Sequence, residues 1–237
     1  MPSTPNRPLK PLVIYGAAGH AKVVFDVVEK QGIYQIMDVL DRYKPNGTRC
    51  GPRIVSGTMQ ALPLMRGTMP TLEVIVAIGD NWARARITAE IRELCPGICF
   101  GIAIHPAAQI GRNVIIGMGT VIMAGAVVNP SATVGEGCII NTRASLDHDS
   151  VMESYSSLGP GASIGGGVRI GPFSSIGIGA SVIQEIHIGE HVVIGAGAAV
   201  VRDIPDFVVA HGVPAVVKHA RSAGERYLGT IPASVTR

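Results

Sequence analysis

Aromatic residues are scarce in this chain of 237 residues: Phe, Trp and Tyr together make up 4% of it. A core without large rings has to be filled by Ile, Val and Ala, which suits a narrow interior. Basic charge is not concentrated either. The net charge is +3 and no basic cluster exists beyond Arg84 and Arg86, so nothing in the chain demands nucleic acid or a membrane surface. The mild positive bias suits an anionic small molecule. The four cysteines, Cys50, Cys95, Cys99 and Cys138, lack zinc-ligand spacing, and Cys95 and Cys99 straddle a Pro-Gly turn. Glycine and charge interrupt every apolar stretch, which excludes a signal peptide or a membrane span and makes a reducing cytoplasm the expected location. Residues 1–10 are Pro-rich and polar, a leader expected to fray.

What the chain does have is a period. In steps of six from Ile104 through Ile122, Ile140, Leu158 and Ile176 to Val200, every residue is aliphatic. An α-helix, at 3.6 residues per turn, cannot hold that phase; a chain that turns a corner every six residues can. Two places before each aliphatic stands a small or β-branched residue, among them Ala126, Cys138, Ser150, Ser156, Ala162 and Ser174. Glycine follows the aliphatic at Gly111, Gly117, Gly135, Gly159, Gly165, Gly171, Gly177, Gly189 and Gly195, a place that suits a sharp corner with positive φ. The pattern describes a left-handed parallel β-helix over 102–202, with one aliphatic and one smaller residue pointing inward per face. Residues 203–237 then form a C-terminal cap and tail, since an open solenoid end would invite stacking.

Residues 11–101 carry a different pattern. Pro11–Tyr15 is a buried strand, Ala21–Lys30 a helix, Ile36–Leu40 and Glu73–Ile78 further strands, and Trp82–Leu94 a second helix. Strands alternating with helices predict a parallel sheet and a short Rossmann-like domain. Between the first strand and helix lies Gly16-Ala17-Ala18-Gly19-His20. Such a turn aims backbone N–H groups and a helix N-terminus at an anion. It is shorter than the dinucleotide fingerprint, which argues against NAD, and a plain tight turn is the alternative. Asp41, Arg42 and Gly79 also fall at strand ends, where ligands of such sheets bind.

The hexapeptide rhythm is broken by polar residues at Asp147-His148-Asp149. Corners of a three-faced helix stack 18 residues apart, so the residue above His148 is Gly166, and a histidine facing a glycine borders an open groove. Asp149 is placed to orient the ring and raise its basicity, which makes His148 the candidate general base. His105, His187, His191, His211 and His219 are read as solvent-exposed corner histidines.

With these segments in place, the chain resembles the NeuD/PglD-like hexapeptide acyltransferases, a group of sialic acid O-acetyltransferases and nucleotide-amino-sugar N-acetyltransferases. The resemblance rests on Ile14 to Val24, Ala77 to Asn81, Asn141-Thr142, Asp147 to Asp149 and Gly212 to Ala215, and runs from Val13 to about Lys218. It implies a homotrimer with acetyl-CoA, a co-substrate rather than a resident cofactor, in the groove between neighbouring solenoids. It implies a nucleotide-linked 4-amino-dideoxy sugar held at Ala18, Gly19, His20, Asp41, Arg42 and Gly79. His148 matches the family's base and Asp149 its acidic partner; Ile178 and Ala196 match positions that touch the coenzyme, with Ser157 and Gly166 along the same path. Relatives usually carry a second histidine where this chain has Ser157, which bears on the acyl-group pose.

The expected reaction is direct N-acetylation of the sugar amine, in polysaccharide biosynthesis. O-acetylation of a sialic acid or other sugar is the alternative. A zinc-dependent hydratase would need histidines gathered around a metal, and His187-x3-His191 finds no third partner. A binding module without catalysis would not need His148.

Overall fold

The computed structural model describes residues 8–228; the first seven residues of the expected leader and the last nine of the tail lie outside that range. Strand β1 (Lys10–Tyr15) begins within the span read as leader and is followed by helix α1 (Gly19–Gln31) and strand β2 (Tyr34–Leu40). A hairpin of β3 (Arg49–Cys50) and β4 (Arg53–Gly57) and a short helix α2 (Leu62–Thr68) come next, none of which the hydrophobic pattern marked. Strand β5 (Glu73–Val76), helix α3 (Asn81–Leu94) and strand β6 (Cys99–Phe100) complete this part. The sheet order is β3-β4-β2-β1-β5-β6, parallel except for β3. Chain order runs outward from β1 through β2 and then returns to its other side at β5. That reversal opens a crevice beyond the carboxyl ends of β1 and β5, where open α/β sheets bind ligands. Leu12 to Ile14 are fully buried, as strands covered on both faces require.

From Ala103 to Val200 the chain forms a two-residue strand every six residues, and each strand as far as Ser181–Val182 pairs in parallel with the strand 18 residues on. The first face carries Ala103–Ile104, Val121–Ile122, Ile139–Ile140, Ser157–Leu158, Ser175–Ile176 and Val193–Ile194; the second face includes Ser145–Leu146 and the third Val151–Met152. The aliphatic column fills the interior, with Ile122, Ile140, Leu158 and Ile176 fully buried; Ile110, in the first coil, remains partly open. Hydroxyls of the inward column bond the corners: Ser150 Oγ donates to the Gly165 carbonyl at 3.0 Å and accepts from the Val168 amide at 3.1 Å. Ser174 does the same with Gly189 and Val192.

The glycines after the aliphatic column serve a different end from the one their sequence position suggested. None of them has positive φ. A Cβ at Gly171 would stand 2.6 Å from the backbone carbon of Gly189, and one at Gly177 2.6 Å from the Ala196 nitrogen. Glycine is there because stacked coils approach too closely for a side chain. The left-handed conformation falls two residues later, at every sixth residue from Asn113 to Gly197, whether glycine or not; Arg143, Asp149, Tyr155, Phe173, Glu185 and His191 all adopt it.

The two parts are packed together. Helix α1 lays Val24, Phe25 and Val28 against Ala103, Val121 and Ile139 of the first face. At the corner before that face, Tyr155, Phe173, His191 and Phe207 stack one above another with ring centroids 4.6–5.9 Å apart. Trp82 of α3 packs edge-on against Phe173. His191 is therefore buried in an aromatic column rather than solvent-exposed, and His105 is buried as well. Strand Val208–His211 adds to the first face beyond Val193–Ile194, and Val216–Ala220 pairs antiparallel with it to close the solenoid.

Candidate functional site

A cavity of about 440 Å³ occupies the crevice at the carboxyl ends of β1, β2 and β5. Ala18, His20, Asp41, Arg42 and Gly79 line it; Gly19 does not. Gly16 is demanded by the backbone: its φ is +111°, and a Cβ would stand 2.9 Å from the Ala77 carbonyl oxygen. Gly19 has open space around it. Helix α1 has no side-chain cap; in its first turn the Ala21 amide donates to the Ala18 carbonyl at 3.1 Å, and the amides of Gly19 and His20 have no side-chain partner among the described residues. The Ala17 amide is already engaged, donating to Asp41 Oδ2 at 2.8 Å. The other oxygen of Asp41 accepts from the amides of Tyr43 and Lys44, so Asp41 ties the two turns of the cavity wall together. Arg42 is paired with Glu90 of α3.

His20 lies where this cavity meets a second one. Burial first, and then the nearby Arg84 cation, push its pKa down to about 4, so the ring is neutral at neutral pH. The second cavity, about 460 Å³, lies along the first solenoid face and also contains Gly79, Asn141, Ser157, Ile178 and Ala196. Ser157 is buried; its Oγ accepts from Asn81 Nδ2 at 3.1 Å and donates to Ser175 Oγ at 3.2 Å. Its hydroxyl is thus engaged within the protein.

Arg84, one of the two arginines that form the chain's only small basic cluster, is buried with no carboxylate in hydrogen-bond contact among the described residues. It donates to the carbonyls of Ile78 and Gly79 on one side and to those of Gly137 and Tyr155 on the other. Those bonds fix the cavity wall against the solenoid. Neither this role nor that of Asn81 was visible in the sequence, because both depend on contacts more than fifty residues away.

His148 sits on an exposed corner between the second and third faces. Its Nδ1 lies 2.7 Å from Asp149 Oδ2. A carboxylate only accepts, so Nδ1 carries the proton and Nε2 is left with its lone pair. The bond to Asp149, and then the charge of Asp147, raise the imidazole pKa above its ordinary value. Asp147 is itself held by the His148 amide and Asn129, which lower its pKa. The ring lies over Gly166, where a Cβ would come 2.7 Å from Cε1. The glycine gap expected to be an open groove is the seat of the ring.

Two groups of expected site residues thus lie apart. His148, Asp149 and Gly166 share one corner; Ser157, Ile178 and Ala196 belong to the first face and the corner that follows it, beside His20 and Gly79.

A family model for the PglD N-terminal domain matches residues 11–91. A histidine-to-asparagine variant of perosamine N-acetyltransferase from Caulobacter crescentus, solved in complex with CoA and GDP-perosamine, is 37% identical with a TM-score of 0.82, over 90% of this chain and 98% of that one. The acetyltransferase domain of PglB from Neisseria gonorrhoeae FA1090, in complex with acetyl coenzyme A, is 34% identical with a TM-score of 0.79, over 89% and 100%. The chain belongs to the PglD-like family of sugar N-acetyltransferases. Among curated proteins, UDP-N-acetylbacillosamine N-acetyltransferase of Bacillus subtilis (strain 168) is 36% identical over 119 residues, 49% of this chain. That match covers 52% of the curated protein, about half its length.

Proposed function

We propose that the protein is an acetyl-CoA-dependent N-acetyltransferase acting on the amino group of a nucleotide-linked amino sugar. The observation that carries this reading is the continuity of the two cavities at His20 and Gly79. A nucleotide seated beyond β1 and β5 directs its sugar along the first face, toward the path assigned to acetyl-CoA at Ser157, Ile178 and Ala196. Such a ligand places its phosphates at the first turn of α1, near Ala18, Gly19 and His20.

His148 is the proposed base, and it reaches this path from a neighbouring solenoid in a homotrimer. The sugar nitrogen attacks the thioester carbonyl carbon, its proton passes to His148 Nε2, and Asp149 stabilises the imidazolium. The C–S bond then breaks, the thiolate leaves as CoA and takes the proton back. A positioned base contributes ~10²–10⁴-fold, and holding two substrates together contributes as much or more. No covalent acyl-enzyme is required. O-acetylation is a second reading of the same scaffold, and solved relatives whose names specify N-acetyltransfer favour the first.

The test is CoA release from acetyl-CoA with GDP-perosamine, a UDP-linked 4-amino sugar or a free sialic acid. Turnover with an amino-sugar nucleotide is expected, and turnover with sialic acid alone overturns the proposal.

A further inference from the structure

Residues 221–228 lie beyond the stretch that carries the family resemblance, yet they cross the seam between the two cavities. Gly224 and Arg226 line the first cavity, Tyr227 and Leu228 the second. The segment is anchored at its start: the Arg221 amide donates to the Phe207 carbonyl, and Arg221 Nη1 donates to that of His191 at 2.9 Å. Gly224 lies so close to the Trp82 indole that a Cβ would stand 2.5 Å from its Nε1. Its φ of +71° turns the chain back toward the seam. Leu228 then reaches Gly79, with 3.5 Å between its Cδ1 and the place a Cβ would occupy there.

Two residues that line the second cavity each carry a buried polar atom without a hydrogen-bond partner among the described residues: His20, at Nε2, and Tyr227, at its hydroxyl. Orphaned buried polar atoms are rare in folded proteins, and an unmade bond of this kind is costly unless a ligand completes it. They come from opposite ends of the chain and line the same cavity. The His20 ring is neutral at neutral pH and Tyr227 offers a hydroxyl, so the pair suits hydroxyls or an amine rather than a phosphate.

We propose that the C-terminal segment is a wall of the substrate site and that Tyr227, which lines the second cavity together with His20, hydrogen-bonds the sugar of the nucleotide-linked substrate. The inference rests on the reading under Proposed function and adds a specificity-determining residue to it.

Tyr227→Phe removes only the hydroxyl. Binding of GDP-perosamine and of the UDP-linked 4-amino sugar is measured by titration calorimetry, apart from turnover, alongside free GDP and UDP. The expected result is a Kd for the bound sugar nucleotide raised about 5- to 20-fold, with Kd for the free diphosphate within about twofold of wild type. Equal weakening of the diphosphate, or no change for the sugar nucleotide, overturns the assignment. Truncation after Arg226 should weaken sugar-nucleotide binding at least as much; tighter binding would show a plug instead of a wall and overturn it. A wild-type protein that binds these sugar nucleotides without acetylating them would sink the proposed reaction, while the Kd ratios would still decide the role of Tyr227.

Discussion

His148 owes its proposed chemistry to two neighbours rather than to burial. The ring is exposed, and its raised pKa comes first from the bond to Asp149 and then from the charge of Asp147. A base must be neutral to accept a proton, so activity should rise with pH as His148 loses its own. In the wild type that acid limb of kcat/KM is expected above the ordinary imidazole value of 6.5. Asp149→Asn should move it to lower pH, because an amide cannot stabilise the imidazolium as a carboxylate does. Asparagine also tolerates the left-handed φ of +57° found at this position, so the fold is not confounded. His148→Ala should lower kcat by ~10²–10⁴ with little change in thermal stability, since an exposed side chain carries little packing energy. A variant keeping more than half of wild-type kcat would return His148 to the status of a solvated corner. This residue was legible in the sequence because it interrupts a repeat. The state of Ser157 was not: its partner Asn81 lies 76 residues away, and no local pattern records such a bond.

A single hexapeptide of the solenoid contains two positions that favour glycine for unrelated reasons, and stability measurements can separate them. Gly161 has φ +68° and open space around its absent side chain, so Gly161→Ala pays only the left-handed penalty, about 1–2 kcal/mol. Gly171 has an ordinary φ, but an added methyl would meet the backbone of the next coil at 2.6 Å. Backbone cannot step aside as a side chain does, so Gly171→Ala should exceed the upper range of ordinary overpacking, about 3 kcal/mol. Denaturant midpoints for the two variants test this, and equal losses would refute the distinction. The period of six revealed the solenoid because inward positions are dictated by a narrow interior. It misassigned the glycines because spacing alone does not tell conformational need from steric need. Likewise the hairpin at Arg49–Gly57 went unmarked, since its longer strand, Arg53–Gly57, buries only Val55 and carries no apolar alternation.

At the level of the whole molecule, one chain holds both halves of the proposed site but not in one place. His148 lies between the second and third faces, while Ser157, Ile178 and Ala196 line the first face and its following corner. A rigid three-sided solenoid cannot fold one corner onto another, so the halves can meet only if a second copy brings its His148 corner to the first face. Closed threefold packing does this for all subunits at once. Light scattering should therefore report a trimer. Complementation between two inactive variants is the more decisive test. His148→Ala removes the base, and Ala196→Trp fills the coenzyme path; each alone should be inactive. When the two are refolded or co-expressed together in equal amounts, a site is intact if its base comes from an Ala196→Trp chain and its coenzyme wall from a His148→Ala chain. Random closed assembly leaves about a quarter of the sites intact, so about a quarter of wild-type activity should return. If the two halves came from the same chain, every site would carry a defect and mixing would restore nothing.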